Sequence, residues 1–564
     1  MSETAINILV GGAAGQGLAT IGTLMSKALI RAGYEVVVTQ DYQSRVRGGH
    51  NTFAIRTGPE PIHCGTEAID ILVALNQETI DRHSASLAEG AVVVAGAELK
   101  VGAGQHLAVP FKELAPKPMF HNVAALGVLG STLCGDIAIL EGLLASTFGK
   151  KGQEVVDANH EVLRGAWGWV RDQHFHFACM PPAPENAPRK MMLNGNEAIA
   201  LGAMAAGCNF LSFYPMTPST SVALTLIAKS AETGLVAEQA EDEISAVNMA
   251  LGASFAGARS IVTTSGGGFA LMVEGVSLAG ITETPLVFVL VQRPGPATGL
   301  PTRTEQGDLF LAVHAGHGDF PRPVFAPGDV EDCFWLTHRA FDLAERTQGP
   351  VFVLSDQYLA DSYRAVEPFD LDALPEVASP ILQPENPGAY RRYAVTDDGL
   401  SPRAVPGYST ALVKADSDEH DEMGHIEESP ENRIIQQDKR MRKEAVALRE
   451  VVPPTLHGEE GADVMLVCWG STLGPALAAA EALLKEGTDA SVLHFSQVNP
   501  LDESQFMHWI EAAGTVVGVE GNPTGQFCRH LAARTGYQVK NLVLRYDGYP
   551  LTEAYILQGL KDIF

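Results

Sequence analysis

A run of eight residues, Tyr214 to Ser221, combines two prolines with several hydroxyl side chains. Each proline fixes its own φ, so the backbone is stiff on both sides of Thr217. A hydroxyl and an amide held in this way between a strand and a helix are suited to orienting a carboxylate. The alternative is structural, with Thr217 as the N-cap of a helix whose first turn begins at Pro218.

An acidic turn, Glu241 to Glu243, precedes a predicted helix in which Ile244, Val247 and Leu251 recur at helical spacing. Several other positions of this helix are small: Ala246, Ala250, Gly252 and Ala253. A slim helix lets a planar ring approach closely, so Glu243 is a candidate partner for such a ring. The alternative is an ordinary acidic cap, which the positive end of a helix favours.

Two polar loops follow predicted strands of the same region. The loop Thr263 to Gly268 comes after a buried strand, where open α/β folds bind ligands. The longer loop, Gln292 to Leu309, carries Arg293 and Arg303 among glycines and prolines. Arginine is the side chain best suited to a bidentate hold on a carboxylate, although either residue would serve equally well in an interface salt bridge.

A glycine-rich turn, Gly11 to Gly17, lies between a predicted strand and a predicted helix. Backbone amides and the helix dipole at such a turn can hold a phosphate. The glycine spacing differs from GxGxxG, and many turns of this kind are only tight connections. Arg45 and Arg47 follow beside further glycines, and the two features together predict that this region binds an anionic cofactor arm.

The segment Asp418 to His425 concentrates acidic and histidine side chains that would suit a hard metal ion. Such density in a connecting segment is more typical of a solvated surface, so no metal site is predicted. The seven cysteines lack CxxC or CxxH spacing, which argues against an iron–sulfur cluster or a structural zinc. We expect them to be reduced thiols in the cytoplasm.

The elements that must position these residues follow an α/β pattern. A first domain is predicted over 1–180, where Ile6 to Val10, a helix and Glu35 to Thr39 form a βαβ unit, which demands a parallel sheet. A Pro-rich linker, Met180 to Pro188, separates it from a second α/β domain over 189–367.

A Pro- and charge-rich connector is predicted over 368–455, with Arg433 to Arg449 as a solvent-facing helix. A third α/β domain is predicted over 456–564. The predicted strands of the second and third domains are 260–264, 286–291, 351–355, 464–468, 490–494 and 516–519, with a helix over 473–484.

The composition narrows the class of protein. A chain of 564 residues with 46% apolar content can form several domains. The net charge of −28 argues against nucleic acid and anionic membrane as partners, because both are bound through clusters of Lys and Arg. The sequence shows neither a signal peptide nor an unbroken apolar run of membrane-spanning length, so we expect a cytoplasmic protein.

Taken together, these motifs resemble the α subunit of the 2-oxoacid:ferredoxin oxidoreductases, in the arrangement that carries the γ domain at its N-terminus. Family motifs correspond to Tyr214–Pro218, Thr264–Gly268 and Gln292–Thr302, and a final transketolase-like domain corresponds to Val464–Phe564. Three positions depart from the family's usual residues without losing a charge: Met216, Gly267 and Ala297. The resemblance implies three α/β domains, namely a γ-type domain, a thiamine diphosphate pyrimidine-binding domain and a transketolase C-terminal-like domain.

The resemblance also implies roles for individual residues. Glu243 would hydrogen-bond the aminopyrimidine ring of thiamine diphosphate. Thr217 and Arg303 would orient the carboxylate of a 2-oxo acid, with Arg293 as the alternative to Arg303. The other implied cofactor-binding residues are Tyr214, Pro215, Ser265 and Gly266 for thiamine diphosphate, and Gly15, Gly17, Arg45 and Arg47 for coenzyme A.

The implied reaction is oxidative decarboxylation of a 2-oxo acid, with the acyl group passing to coenzyme A and electrons to ferredoxin. The reverse reaction would fix carbon dioxide, as in a reductive TCA cycle. The sequence has no Gly-Asp-Gly motif followed by the Asn that would hold a magnesium diphosphate. Mg²⁺, the diphosphate and a [4Fe–4S] cluster are therefore expected on a β subunit, in an (αβ)2 assembly.

The expected substrate is 2-oxoglutarate, which would give succinyl-CoA, because the fused γ–α arrangement resembles that branch of the family. Arg293 and Arg322 are candidates for binding its second carboxylate. Pyruvate or a branched-chain 2-oxo acid is the alternative substrate. Two other classes stay open, a non-catalytic nucleotide-binding scaffold subunit and an NAD-dependent dehydrogenase, although the glycine spacing disfavours the second.

Overall fold

The computed structural model describes residues 5–43, 49–173, 177 and 179–564. The chain divides into two compact units. The first runs to Leu193 and also contains Ser362–Phe369, and the second contains Asn194–Asp361 and Asp370–Phe564. Three sheets with helices around them confirm the predicted α/β fold class. Among the described residues, no helix is long and apolar enough to cross a membrane.

The first unit contains an eight-stranded sheet with the spatial order β6-β5-β4-β1-β3-β2-β14-β7. Its strands are β1 (Ile6–Ala13), β2 (Glu35–Asp41), β3 (His50–Gly58), β4 (Ile69–Ala74), β5 (Leu87–Gly96), β6 (Gln105–Val109), β7 (Met191–Leu193) and β14 (Tyr363–Val366). β7 and β14 lie within the range 189–367 predicted for the second domain, so this sheet also uses chain beyond residue 180.

The prediction of a parallel first sheet was right for β6, β5, β4 and β1, which pair in parallel, and wrong for the strands on the other side of β1. β1 is parallel to β4 but antiparallel to β3, and β2 is also antiparallel to β3. β1 and β2 therefore run in the same direction, as a βαβ unit requires, but β3 lies between them. The connection from β2 to β3 is short enough for antiparallel neighbours, whereas a parallel pair needs a crossover of a dozen or more residues.

The helices of the first unit are α1 (Leu18–Arg31), α2 (Gln77–His83), α3 (Phe111–Leu114), α4 (His121–Thr132), α5 (Ile137–Phe148) and α6 (Gln153–Asp172). In α1 the buried residues Ile21, Leu24 and Leu29 fall on one face, as the helical spacing in the sequence predicts. That face packs into the core formed with the apolar residues of β1 to β5.

Two of the seven cysteines, Cys134 and Cys179, form a disulfide within the first unit. The expectation of reduced thiols is therefore wrong for this pair. The two residues are 45 positions apart in the chain, yet their Cα atoms are 5.4 Å apart. Sequence spacing reveals only local cysteine motifs, whereas this pair is created by the packing of elements distant in sequence. The other five cysteines are buried thiols.

The second unit contains a seven-stranded sheet with the order β18-β12-β13-β11-β10-β8-β9. Its strands are β8 (Phe210–Phe213), β9 (Val236–Gln239), β10 (Ser260–Thr264), β11 (Leu286–Gln292), β12 (Val324–Phe325), β13 (Pro350–Asp356) and β18 (Gln497–Asn499). All neighbours pair in parallel except β12 and β18. β10, β11 and β13 are buried along their whole length, which explains their continuous apolar sequence.

The helices around this sheet are α7 (Gly195–Ala205), α8 (Thr220–Thr233), α9 (Glu243–Phe255), α10 (Gly266–Ile281), α11 (Leu309–Val313), α12 (Val330–Thr347) and α13 (Gln357–Asp361). α10 packs on the sheet through Phe269, whose ring meets Phe288 and Phe352 edge-on, at centroid distances of 6.0 and 5.7 Å. This aromatic cluster fixes the first turn of α10 next to the ends of the strands.

A third, five-stranded sheet lies in the same unit, with the order β15-β17-β16-β19-β20. Its strands are β15 (Thr455–His457), β16 (Val464–Trp469), β17 (Ala490–Phe495), β19 (Thr515–Glu520) and β20 (Asn541–Leu544). Its helices are α15 (Leu473–Lys485), α16 (Met507–Ala512), α17 (Gln526–Thr535) and α18 (Glu553–Lys561).

The connector forms one long helix, α14 (Pro430–Arg449). Our prediction that its charged run faces solvent was wrong, because Lys439, Arg440 and Lys443 are buried. Carboxylates from other parts of the second unit, Glu283 and Glu419, pair with these cations. A charged run in a sequence suggests a solvent-exposed helix, because the sequence does not show which carboxylates will pack against it. Here such carboxylates allow part of the helix to be buried.

Candidate active site

Three of the predicted motifs meet at one edge of the seven-stranded sheet. β8, β10 and β11 are adjacent and parallel, so their carboxyl ends lie side by side. The segment 214–219 follows β8, Ser265 follows β10, and the loop 293–308 follows β11. α9 begins just after β9, the next strand in the sheet. Ligands bind at this edge in open α/β folds.

Glu243 is the first residue of α9, and its side chain is buried, with 4% of the residue exposed. The helix is capped by Asp242, whose carboxylate accepts a hydrogen bond of 2.7 Å from the Ser245 amide. The capping role that was the alternative for Glu243 therefore belongs to its neighbour. Within the described chain, Oε1 of Glu243 has no hydrogen-bond partner. A buried acceptor without a donor costs about 1–3 kcal/mol, which a ligand donor would recover.

The first turn of α10 closes over this carboxylate. A Cβ atom at Gly268 would lie 2.5 Å from Oε1 of Glu243 and 2.3 Å from Oγ1 of Thr264, so only glycine fits there. A Cβ atom at Gly266 would lie 2.4 Å from Oδ2 of Asp308. A side chain at either position would therefore displace a carboxylate that lies close to the start of α10.

Ser265 occupies the N-cap position of α10, but its side chain makes no capping hydrogen bond. Its Oγ atom is buried and unpartnered in the described part of the chain. Ser265 thus presents an unpartnered hydroxyl at the start of α10, beside the Asp308 carboxylate and at the edge where Glu243 lies. Free donors at a helix start are suited to a polar or anionic group.

The segment between β8 and α8 exposes Thr217, which does not cap the helix. α8 begins at Thr220, and Ser219 takes the N-cap position. A hydrogen bond from α7 fixes the backbone of this segment, because Nδ2 of Asn196 donates to the Pro218 carbonyl at 2.9 Å. The preceding residues Tyr214 and Pro215 are also exposed at this edge.

Arg293 reaches Thr217 from the end of β11. Its Nη1 donates to the Thr217 carbonyl at 2.6 Å, and the residue is 8% exposed. Its Nε has no partner within the described residues. Burial lowers the pKa of Arg293, and the nearby Asp308 carboxylate opposes that shift. A buried guanidinium with an unused N–H beside Thr217 is suited to binding a carboxylate.

Arg303, the residue first paired with Thr217, has different surroundings. Its guanidinium lies 4.8 Å from the ring centroid of Tyr549. The next residue is held in the same place, because the Thr304 amide donates to the Gly548 carbonyl at 3.1 Å. The structure therefore brings Thr217 together with Arg293 and places Arg303 against the C-terminal part of the unit.

Arg322, a candidate for binding a second carboxylate, is committed to a loop. Its guanidinium donates to the carbonyls of Ala315, Gly318 and Phe320 at 2.6, 2.8 and 2.8 Å. It also lies 3.7 Å from the ring centroid of Phe320. The suggestion that it binds substrate was wrong, because these contacts use the guanidinium to fold the 315–320 loop.

The glycine turn of the first unit is shorter than predicted, because β1 continues to Ala13. Gly15 and Gly17 have φ values of 90° and 82°, in the left-handed region, and Gly17 precedes α1 at its N-cap position. This geometry is compatible with an anion at the start of α1. Arg45 and Arg47 lie outside the described residues.

Asp308 and Gln292, which the sequence motifs did not single out, support the arginine loop at its two ends. Oε1 of Gln292 accepts a hydrogen bond of 2.9 Å from the Asp308 amide. Burial raises the pKa of Asp308 to about 6, while the Arg293 guanidinium partly opposes the shift. The available signal was a pair of carboxylates, Glu305 and Asp308, in the same loop as two arginines.

The acidic segment 418–425 forms ion pairs with α14. Glu419 accepts hydrogen bonds from Arg433 and Arg440 at 2.6 and 2.7 Å. Burial alone would raise the pKa of Glu419, but these two guanidinium groups lower it to about 2. Within the described ranges, no group of three or more His, Cys, Asp or Glu residues is arranged to hold a metal ion.

Three family profiles match the chain, one for each sheet. Residues 7–168 match "Pyruvate ferredoxin/flavodoxin oxidoreductase", and residues 201–439 match "Pyruvate flavodoxin/ferredoxin oxidoreductase, thiamine diP-bdg". Residues 455–551 match "Transketolase, C-terminal domain". The matches confirm the three kinds of domain that the sequence motifs predict.

Similar proteins support the same assignment over the whole length. The chain is 32% identical to the 2-oxoacid:ferredoxin oxidoreductase 2 subunit alpha of Aeropyrum pernix, with 99% of this chain and 97% of the relative covered. It is 35% identical to a 2-oxoglutarate synthase subunit of Archaeoglobus fulgidus, with 59% of this chain and 88% of the relative covered.

Among solved structures, the 2-oxoglutarate:ferredoxin oxidoreductase from Magnetococcus marinus with 2-oxoglutarate, coenzyme A and succinyl-CoA bound superposes with a TM-score of 0.93. The sequences are 31% identical, and each chain is covered completely. These relatives confirm an enzyme subunit, so the scaffold and NAD-dehydrogenase alternatives are set aside. The chain belongs to the family of 2-oxoacid:ferredoxin oxidoreductase α subunits.

Proposed function

We propose that the chain is the α subunit of an enzyme that oxidatively decarboxylates 2-oxoglutarate with coenzyme A, giving succinyl-CoA, carbon dioxide and reduced ferredoxin. The Magnetococcus marinus and Archaeoglobus fulgidus relatives support 2-oxoglutarate as substrate. Two of the family profiles carry the name of pyruvate instead, so pyruvate or a branched-chain 2-oxo acid is the alternative. The reverse, carbon dioxide-fixing direction belongs to the same proposal, and so does a cytoplasmic location.

One observation carries the assignment of the site, the buried carboxylate of Glu243 with its unpartnered Oε1. The pyrimidine ring of thiamine diphosphate carries an N–H on its ring nitrogen in the imino tautomer, and that N–H would supply the missing donor. The close approach at Gly268 leaves no side chain between the carboxylate and α10. The residues present therefore fit the ring, and Ser265, Gly266, Tyr214 and Pro215 lie at the same edge of the sheet.

Thiamine diphosphate, when bound, supplies the electron sink that decarboxylation requires. The chain's own residues hold and orient the reactants. Glu243 would bind the ring nitrogen and favour the tautomer in which the exocyclic nitrogen can accept a proton. Thr217, with the Arg293 guanidinium on its carbonyl, would orient the carboxylate of the 2-oxo acid. Arg303 is the other candidate for that carboxylate.

The rest of the machinery is proposed for partners. A β subunit would hold Mg²⁺, the diphosphate and a [4Fe–4S] cluster, in an (αβ)2 assembly that reduces ferredoxin. In the first unit, Gly15 and Gly17 at the start of α1, with Arg45 and Arg47, would contribute to coenzyme A binding. The coenzyme A named for the Magnetococcus marinus structure supports this part of the proposal.

The test is to co-purify the chain with its β subunit and to measure reduction of a viologen dye. 2-Oxoglutarate, pyruvate and 2-oxoisovalerate would be compared at equal concentration, each with and without coenzyme A. We expect the largest kcat/KM for 2-oxoglutarate and strict dependence on coenzyme A. A larger kcat/KM for pyruvate would overturn the substrate proposal, and turnover that ignores added thiamine diphosphate would overturn the site.

A further inference from the structure

The connector contacts both helices of the site at their C-terminal ends. α9 begins at Glu243 and ends at Phe255, and α10 begins at Gly266 and ends at Ile281. The two helices are in contact, since a Cβ atom at Gly275 would lie 2.7 Å from the Val247 side chain and one at Gly268 would lie 2.5 Å from Oε1 of Glu243. A shift at the end of either helix is therefore transmitted along a rigid element to the site.

The end of α10 is held by an ionic cluster around Glu283, which is fully buried and has a φ of 51°. Lys439 and Lys443, one turn apart on α14, place their Nζ atoms 2.6 Å from its two carboxylate oxygens. Arg392 donates to the Glu283 carbonyl at 2.6 Å. Tyr393 donates through its hydroxyl to the Thr282 carbonyl at 3.3 Å.

The end of α9 is held by Arg403, which is 3% exposed. Its Nη2 donates to the Ser254 carbonyl at 2.8 Å, and its Nη1 donates to Glu345 of α12 at 2.6 Å. Two residues further on, Val405 packs against the turn after α9, where a Cβ atom at Gly257 would lie 2.9 Å from it. The connector thus supplies a cationic donor to a carbonyl in the last turn of α9, through Arg403, and to the Glu283 carbonyl just after the end of α10, through Arg392.

Stability alone does not explain this arrangement. Cations near a helix C-terminus satisfy open carbonyls and complement the helix dipole. Burying charges is expensive, however, and apolar residues of similar volume often replace a buried ion pair at no cost. Directed, charged hydrogen bonds also fix the position of each helix along its own axis. Apolar packing specifies that position less sharply.

We propose that Arg392, Arg403, Lys439 and Lys443 form a cationic clamp that positions α9 and α10, so that the Glu243 carboxylate meets the thiamine ring in register. The clamp residues are positioning residues, because they act through the two helices and do not touch the reactants. The contacts alone support the positioning of α9 and α10 by the clamp, and only the identity of the ring rests on the proposed function.

The test removes one arm of the clamp without leaving a buried charge. The double variant Arg403→Met/Glu345→Leu replaces the pair with apolar residues and releases the Ser254 carbonyl. A matched control, Arg440→Met/Glu419→Leu, removes another largely buried pair whose hydrogen bonds stay within the connector. The single variant Arg403→Lys keeps a cation for Glu345 but lacks the second arm of the guanidinium, and it serves if the double variant does not fold.

The first measurement is hydrogen–deuterium exchange in the αβ complex before thiamine diphosphate is added. We expect exchange of the backbone amides of 246–251 in α9 to accelerate about tenfold in the Arg403 variants and to stay unchanged in the control. Equal exchange in all variants would overturn the clamp. Equal acceleration in the control would also overturn it, because the effect would then be a general loss of stability.

The second measurement is the concentration of thiamine diphosphate that gives half-maximal turnover. We expect the Arg403 variants to raise it by on the order of tenfold, while the KM for the 2-oxo acid changes less than about twofold. If exchange changes and thiamine affinity does not, Glu243 is not the ring partner and the proposed function fails while the inference of the clamp survives. If neither changes, the clamp itself is refuted.

Discussion

Two carboxylates of the second unit are buried to a similar degree and have opposite surroundings. Glu243 is 4% exposed at the start of α9, and one of its oxygens has no partner in the described chain. Glu283 is fully buried just after α10 and meets two ammonium groups at 2.6 Å. Burial alone therefore does not mark a functional acid. The informative property is the counter-charge: two lysines pair with Glu283, whereas within the described residues no cation pairs with Glu243, whose carboxylate is available to a ligand donor.

The sharpest test of this contrast replaces Glu243 with Gln. The amide keeps the shape of the side chain but cannot act as a charged acceptor for the ring nitrogen. We expect kcat of the reconstituted complex to fall by about 10²–10⁴-fold, the usual contribution of a positioned proton-transfer group. The melting temperature should hardly change. Glu241→Gln, at an exposed position two residues earlier, is the matched control and should keep full activity.

Glu283→Gln, in contrast, is expected to lower the stability of the fold. Two buried lysines would lose their counter-charge, which costs about 3–5 kcal/mol of unfolding free energy. Burial raises the pKa of Glu283, but Lys443, Lys439 and Arg392 outweigh it and hold the pKa well below its usual value. Its stabilisation is therefore present above the unfolded carboxyl pKa and is lost as the pH falls below that value.

Denaturant unfolding of the wild-type chain and the Glu283→Gln variant at several pH values would measure both effects. The variant should lose the part of the acid sensitivity that comes from this group. A variant as stable as the wild type at neutral pH would show that Glu283 is not the structural member of the pair.

The two arginines of the polar loop give a smaller contrast. Arg293→Lys removes the fork that holds the Thr217 carbonyl, and we expect the KM for the 2-oxo acid to rise by about 10–100-fold, the range for a hydrogen bond to a charged group. Arg303→Lys should change this KM less than about threefold, because its guanidinium lies over Tyr549. Steady-state kinetics with the complex decides between them, and the opposite ranking would restore Arg303 as the carboxylate ligand.

The smallest expected effect concerns Asp308, whose pKa is raised to about 6 by burial despite the nearby Arg293. Protonation on acidification would remove the counter-charge of that arginine. We expect kcat/KM to fall as the pH drops below about 6, by about tenfold per unit at most. Asp308→Asn should flatten this part of the profile. An unchanged acid limb in the variant would assign the titration to another group.

Much of the fold was predictable, because buried parallel strands have a plain signature. The prediction of a strand at 260–264 matches β10, and those at 286–291 and 464–468 differ from β11 and β16 by one residue. Continuous apolar runs bounded by polar turns leave little ambiguity. The order of strands in the first sheet was not predictable in the same way, because β3 lies between β1 and β2 through its pairing with β1, which is distant in sequence.

Site residues could be predicted from the sequence where a few neighbouring residues form one recognisable motif. The positions of Glu243 and Thr217 at one sheet edge follow from strand order, whereas the contact between Thr217 and Arg293 spans 76 residues. Asp308 and the disulfide between Cys134 and Cys179 were missed for the same reason. Each depends on residues that come together only after folding, and no local pattern carries that information.

The short strand β18 links parts of the second unit that look separable in sequence. It comes from the transketolase-like segment, yet it pairs with β12, and the Ala326 amide donates to the Ser496 carbonyl at 2.7 Å. Cutting the chain near residue 455 would remove the edge strand β18 from the seven-stranded sheet. The backbone amides of β12 at that edge would then be unpaired. Such a fragment would be prone to self-association, so expression trials that divide the polypeptide there should give aggregated material.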